Sequence, residues 1–260
     1  MTFRVVTYNI LADAYISTNR YDHVPPKALE ASHRHPLLME TIRTFDADVY
    51  CLQEVEPHIF EKLQTTLGED YSSIYEQKPN RPDGCAVFYK NNVFTCLDSK
   101  VLHYKSHSSR DNQLALIAHL SDGEQTYAVV STHLRWQPPR TNRRDHVGRL
   151  QLLELLNRRE ELAPEGAHWL IAGDFNAISE SVVLQAALER HFELSCRTQR
   201  PWDTCNINGR RRKLDYILYS SKQLHAQPGR LPSLERDTPM PSLTTPSDHF
   251  PVSVDFTPLR

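Results

Sequence analysis

Leu170-Ile171-Ala172-Gly173-Asp174-Phe175-Asn176 passes from an unbroken apolar run into an acid and an amide. A short apolar run of this kind reads as a buried strand, with its polar end where the chain leaves the sheet. The same pattern recurs along the sequence. Val6-Thr7-Tyr8 ends at Asn9, Val49-Tyr50-Cys51-Leu52 at Gln53-Glu54, and Val129-Val130-Ser131-Thr132 at His133. Lys213-Leu214 leads into Asp215 and an apolar run, and Thr245-Pro246-Ser247 precedes Asp248-His249 and another. Any one polar residue at a strand end is ordinarily the start of a turn, because Asn and Asp favour turns. Several together carry more weight, since the strand ends of a layered α/β protein converge. Asp, Glu and Asn oxygens with neutral His nearby have the chemistry of a hard-cation site for Mg²⁺ or Mn²⁺. There is no H-E-x-x-H and no paired-Cys set, which argues against zinc at these positions. Adjacent acids also allow one carboxylate to act as general base, and such a site suits phosphoryl oxygens.

Outward from these ends, strands are predicted at residues 3–8, 48–52, 73–76, 86–89, 113–120, 126–131, 168–172, 214–219 and 251–255. Helical spacing is present around Leu37–Phe45, Ile59–Leu67, Asp145–Leu162 and Val182–Leu188. Strands and helices alternate in places, while elsewhere strands follow one another directly. That mixture predicts sheets of mixed direction with helices outside. No break in composition divides the chain, so residues 1–260 are expected to form a single catalytic domain. Residues 228–246, rich in Pro, Ser and Thr, are expected to be a long loop.

Composition narrows the function. With 39% hydrophobic and 24% charged residues the chain is a globular protein. Its 8 Gly are too scattered for G-x-G-x-x-G or a P-loop, which excludes the usual nucleotide cradles. The net charge of −2 means that attraction to a polyanion must come from local patches. Five Cys without C-x-x-C argue against a disulfide framework, and Cys51 and Cys85 read as core residues. No apolar run reaches ~18 residues and the N-terminus lacks a signal-peptide pattern, so a reducing, cytoplasmic setting without membrane attachment is expected.

Tyr8-Asn9-Ile10-Leu11, Cys51-Leu52-Gln53-Glu54-Val55, Thr132-His133-Leu134, Gly173-Asp174-Phe175-Asn176, Leu214-Asp215-Tyr216-Ile217 and Ser247-Asp248-His249-Phe250 resemble the motifs of the endonuclease/exonuclease/phosphatase superfamily. They stand in that family's order and span nearly the whole chain. The resemblance implies a deoxyribonuclease-I-like fold, a four-layer α/β/β/α sandwich with two mixed β-sheets, and Mg²⁺-dependent phosphoester hydrolysis. Arg81-Pro82-Asp83-Gly84-Cys85-Ala86, Asp111-Asn112-Gln113 and Leu214–Ser220 are similar to the deadenylase branch. That branch holds the Ccr4–Not-type subunits, nocturnin, the angel proteins and the mitochondrial 2′-phosphodiesterase.

By this resemblance Glu54 is the principal metal ligand, with Asn9 beside it and Asp248 as a further metal-side or water-side acid. Asp174 activates or orients the attacking water, and Asn176 holds a phosphate oxygen. His249 binds phosphate with Asp215 on its other ring nitrogen, and His133 is a second phosphate contact. Asn112, Trp136, Pro138, Arg135 and Arg210 are expected on the substrate side, with Trp202 as another stacking candidate. Where Ccr4-type deadenylases carry an aromatic before the matching Asp, this chain has Arg210, which departs from a strict poly(A) pocket. A charge run is ordinarily a solvated face. Arg135, Arg140, Arg143 and Arg144 after His133, and Arg210–Lys213 before Asp215, nevertheless abut the candidate site and point to phosphate guidance.

The expected function is therefore a Mg²⁺-dependent 3′-5′ exoribonuclease of deadenylase type on single-stranded RNA, with Mn²⁺ as the alternative ion. The chain is read as a monomer without an inferable protein partner. The same chemistry also serves a 2′-phosphodiesterase, a 2′,3′-cyclic phosphatase or an NADPH-type dinucleotide phosphatase. The reading of another class, a silent RNA-binding module, is opposed by the intact acid, amide and His set.

Overall fold

The apolar runs pair into two six-stranded sheets, seen in a computed structural model that describes all residues except 18–19, 106, 108–110, 139–140, 196–202, 208, 221–223, 233–237 and 260. Strand β1 (Phe3–Asn9) is followed by helices α1 (Pro26–Leu29) and α2 (Ala31–Phe45), then β2 (Val49–Val55), α3 (Pro57–Leu67), β3 (Tyr71–Gln77) and β4 (Gly84–Lys90). Next come β5 (Thr95–His103), β6 (Leu114–Ser121), β7 (Thr126–His133), helices α4 (Val147–Asn157) and α5 (Arg159–Leu162), β8 (His168–Asp174) and α6 (Val182–Leu188). Short strands β9 (Glu193–Leu194), β10 (Cys205–Ile207) and β11 (Arg210–Arg212) lead to β12 (Asp215–Tyr219), β13 (Leu224–Pro228) and β14 (Val252–Pro258). The sheet orders are β13-β14-β1-β2-β4-β3 and β5-β6-β7-β8-β12-β9, and β10–β11 forms a separate hairpin.

Alternating side chains of the central strands feed different layers. Val5, Cys51 and Val87 meet Leu116, Val129 and Ile217 between the sheets. Their neighbours Val6 and Leu52 turn outward onto Leu38, Ile42, Ile59 and Leu63. On the far side Val130, Ile171 and Leu218 turn outward onto Leu152, Leu155, Val183 and Leu184. Both faces of these strands are covered, which is why they read as unbroken apolar runs. The result is the four-layer α/β/β/α sandwich expected from the sequence.

Three differences have physical reasons. Strand β5 was not predicted, because it is a largely exposed edge strand with a register shift between Cys96 and Asp98, and its residues TCLDSKVLH carry little apolar signal. Strand β13 is likewise at a sheet edge. The helix expected over residues 145–162 is two helices divided at Arg158, which lets the chain turn so that the Leu162 carbonyl meets His119 Nε2 at 2.6 Å.

Register places the polar strand ends. β1 runs parallel to β2 with Asn9 opposite Gln53, and β7 runs parallel to β8 with His133 opposite Asp174. β12 runs antiparallel to β8 and begins with Asp215 opposite Asp174. Gly173 makes the tight β7–β8 approach possible: a Cβ there would lie 1.9 Å from the Thr132 carbonyl oxygen. Gly173→Ala is expected to lower stability by ~1–3 kcal/mol through overpacking against backbone, read as a lower urea midpoint. An unchanged midpoint would show that β7 yields easily.

Candidate active site

Glu54 reaches the site through an irregularity. The β2–β4 register shifts between Gln53 and Val55, and Glu54 adopts φ 57°. A bulge of this kind re-aims one side chain, and here it separates Glu54 from its neighbour. Gln53 instead points between the sheets, where its Nε2 donates to Ser131 Oγ at 3.1 Å and to the Cys51 carbonyl at 2.9 Å. Leu11 (φ 59°) and Asn176 (φ 51°) are also left-handed. Three non-glycine residues in this sparsely allowed region, at or beside the strand ends, are strain concentrated at one place.

Asn9 joins the two sheets. Its Nδ2 donates to Glu54 Oε1 and to Asp174 Oδ2, both at 3.1 Å, while its Oδ1 accepts from the Leu11 N–H. The Ala12 N–H donates to Glu54 Oε2 at 3.0 Å. Asp174 Oδ1 accepts from the Asn176 N–H at 2.8 Å. The Nδ2 of Asn176 donates to His133 Nε2 at 3.0 Å and to the Leu134 carbonyl at 2.9 Å. His249 Nδ1 is bonded to Asp215 Oδ2 at 2.9 Å, and its Nε2 lies 3.7 Å from Asp174 Oδ2. Thr204 Oγ1 also donates to Asp215 Oδ2, at 2.5 Å. Asp248 Oδ2 accepts from the Tyr21 hydroxyl at 2.9 Å, with Arg20 3.8 Å away. Asn9, Glu54, His133, Asp174, Asn176, Asp215, Asp248 and His249 are thus brought together.

Burial and charge set the protonation of this cluster. Burial opposes the imidazolium of His249, but the carboxylates of Asp215 and Asp174 outweigh it and raise its pKa well above the ordinary value. Burial, then the charges of Lys78 and His249, push His133 well below it, so one ring is cationic and the other neutral. Asp174 is pushed up to about 7 by burial and by Asp215, against the opposing pull of His249. Glu54 is raised by burial and by the Asp248 carboxylate. Buried carboxylate oxygens crowded in this way, as Glu54 is by Asp248, fit a hard divalent cation at Glu54 with Asp248 and Asn9 at its side. Asp174, Asp215 and His249 also bring ligand atoms within 4.8 Å of one another. Asp215 and His249 are, however, bonded to each other, which makes them an oriented acid–imidazole pair.

The cluster floors a cleft of about 710 Å³. Its walls include Arg135, Trp136 and Arg210, and Trp136 is 51% exposed. Asn112 does not line the cleft. With its carboxamide oxygen turned to Arg81 it accepts from Nε at 2.5 Å, and Arg81 is the wall residue. Pro138 does not line it either; its carbonyl closes a turn with Thr141. The residue 140–144 cluster also differs from expectation. Arg143 is bonded to Glu189 on the surface, neither Arg143 nor Arg144 lines the cleft, and Arg140 lies outside the described residues, as does Trp202. In the second cluster Arg210 and Arg212 face the cleft, while Arg211 is 3.7 Å from Asp203.

Several site residues escaped the sequence reading. Lys78 and Asp83 form a buried pair at 2.6 Å, capped by the Tyr15 hydroxyl, which donates to Asp83 at 2.5 Å. Lys78 Nζ lies 3.3 Å from His133 Nδ1. Asp83 stands in the quoted Pro82-Asp83-Gly84 motif, but nothing local marks Lys78 or Tyr15 as its partners. Arg20, Tyr21 and Thr204 gave no signal at all.

The sequence profile of the Endonuclease/Exonuclease/phosphatase family matches residues 6–249, the stretch from β1 to His249. The chain belongs to this family. Among endonuclease/exonuclease/phosphatase relatives, nocturnin of Xenopus laevis is 31% identical over 98% of this chain and 72% of its own. The CCR4-Not complex 3′-5′-exoribonuclease subunit Ccr4 of Yarrowia lipolytica is 25% identical over 98% of this chain and 48% of its own. The chain spans about half or less of the length of the Ccr4 relatives it matches. In structure it resembles ANGEL2, a 2′,3′-cyclic phosphatase, with a TM-score of 0.81 at 22% identity, covering 98% of this chain and 95% of that one. It also resembles the human nocturnin catalytic domain, with a TM-score of 0.76 at 25% identity, covering 98% and 94%. Among the described residues no helix is long and apolar enough to cross a membrane.

The His249–Asp215 pair gives a pH prediction. A histidine whose folded pKa is raised contributes stability fully below ~6.5 and loses it as pH rises through the raised value. Asp215→Asn removes the charge that favours imidazolium, so the alkaline fall of activity should move to lower pH. An alkaline limb that stays in place would mean that His249 does not act as a cation.

Proposed function

We propose that the chain is a Mg²⁺-dependent phosphodiesterase that removes nucleotides from the 3′ end of single-stranded RNA. The observation that carries this reading is the meeting of Asp174, near neutral in pKa, with the charged His249–Asp215 pair beneath a cleft walled by Arg135, Arg210, Arg212 and Trp136. Mg²⁺, when bound by Glu54 with Asn9 and Asp248 alongside, supplies charge neutralisation at the phosphate oxygens. Asp174 takes the proton of the attacking water, a task for which a carboxylate titrating near 7 is well matched. His249 donates from Nε2 to a phosphate oxygen, because its Nδ1 is held by Asp215. Asn176 Nδ2, released from His133, donates to another. The arginines hold the flanking phosphates, and Trp136 offers its exposed face to a base. The relatives named exoribonuclease support this substrate class.

A second reading has its own observation. The basic residues that face the cleft are confined to its walls, and Arg143 is engaged by Glu189. A short basic rim, with no outward track among the described residues, suits a small substrate, such as a 2′,3′-cyclic phosphate end or a dinucleotide phosphate. The deciding experiment gives the protein and Mg²⁺ three substrates: a 5′-labelled RNA, a 2′,3′-cyclic phosphate oligonucleotide and NADPH. A ladder of 3′-shortened RNA, abolished by EDTA, supports the exonuclease. Phosphate release or ring opening without a ladder overturns it in favour of the second reading.

A further inference from the structure

Beside the active-site cleft, a second group of ligand-type side chains gathers where three elements meet. Asp13 lies in the short 3-10 turn after β1, His35 in α2 and His58 in α3. Both imidazoles aim Nε2 at the same oxygen, Asp13 Oδ2, His35 from 2.7 Å and His58 from 3.5 Å. The rings are 5.8 Å apart at 53° to one another. The three ligand atoms all lie within 4.8 Å of each other.

We propose that Asp13, His35 and His58 form a Zn²⁺ site separate from the Glu54 centre. Bonds of ~2.0–2.1 Å in a tetrahedron set ligand atoms ~3.3 Å apart, so the observed spacings need only small side-chain adjustments. Two imidazoles and one carboxylate suit zinc and are a poor set for Mg²⁺, which prefers an oxygen shell. The half-exposed His58 gives an ion a way in and leaves a fourth position open to water. The carboxylate is already oriented. Arg34, itself buried, donates to Asp13 Oδ1 at 2.7 Å, which turns Oδ2 towards the rings. Asp13 N–H is pinned by Glu56 Oε2 at 2.7 Å.

One neighbour opposes the ion. Lys62 Nζ lies 2.9 Å from His35 Nδ1, a contact that favours the tautomer with its proton on Nε2. Zinc needs the opposite tautomer. Lys62 is exposed and swings into water when the ion enters. Bound zinc would fasten α2 and α3 to the turn whose preceding residue, Ala12, gives its N–H to Glu54.

The test titrates the metal-free full chain with Zn²⁺, and with Co²⁺ as an optical reporter, in excess Mg²⁺ that fills the Glu54 centre. One equivalent is expected, with the intense visible absorption of tetrahedral Co²⁺. Glu54→Gln should retain it, and His58→Ala and the milder His58→Gln should each lose it. Lys62→Ala should bind ~10-fold more tightly. The site is overturned if the wild type takes up no equivalent under Mg²⁺, if both His58 variants keep it, or if Glu54→Gln removes it.

Discussion

Asp174→Asn is expected to lower turnover by about three orders of magnitude while the protein stays folded. The substitution keeps size but removes the base and one of the two acceptors, since Oδ2 accepts from Asn9 Nδ2 and Oδ1 from the Asn176 N–H. Asp174 accepts from Asn9 and from its own loop through the Asn176 N–H, and it lies 3.6 Å from His133 and 3.7 Å from His249. An asparagine in its place can still accept through one oxygen, so packing is preserved while proton abstraction is lost. Single-turnover hydrolysis of a labelled oligonucleotide reads the chemical step, and the urea midpoint reads the fold. A loss of less than tenfold with an unchanged midpoint would show that another group activates the water.

Glu54→Gln is expected to abolish Mg²⁺-supported activity and yet leave the metal-free protein at least as stable as the wild type. Burial and the nearby Asp248 carboxylate both work against the charge of Glu54. Neutralising it relieves that repulsion, and the single amide oxygen of Gln keeps one of the two bonds that Glu54 accepts, from Ala12 N–H on Oε2 or from Asn9 Nδ2 on Oε1. The wild type should gain thermal stability on adding Mg²⁺, because an ion that binds only the folded state stabilises it by mass action. The variant should not. Melting curves with and without Mg²⁺ test both halves. An equal Mg²⁺ shift in the two proteins would remove Glu54 from the ion site. Stability given up for function is a common cost of a site that concentrates like charge.

Sequence by itself determined the layers and which polar strand ends come together at the candidate site. The central strands are covered on both faces, so each reads as an unbroken apolar run, and the polar residue that ends the run stands out against it. Asn9, His133 and Asp174 are legible for this reason, and Glu54 follows one residue after such an end. The edge strands β5 and β13 are not legible, because one side of them meets solvent and no apolar pattern is required. What the tertiary structure alone decided is geometry between distant parts of the chain. The left-handed bulge that turns Glu54 into the site while Gln53 bridges the sheets depends on the pairing of β2 with β4. The Lys78–Asp83–Tyr15 group, the diversion of Asn112 to Arg81 and of Arg143 to Glu189, and the convergence of Asp13, His35 and His58 are side-chain contacts across folded elements. A residue's type and its neighbours in sequence set what it is able to bind. Which partner reaches it first is fixed by how the sheets and helices pack, and no local pattern encodes that distance.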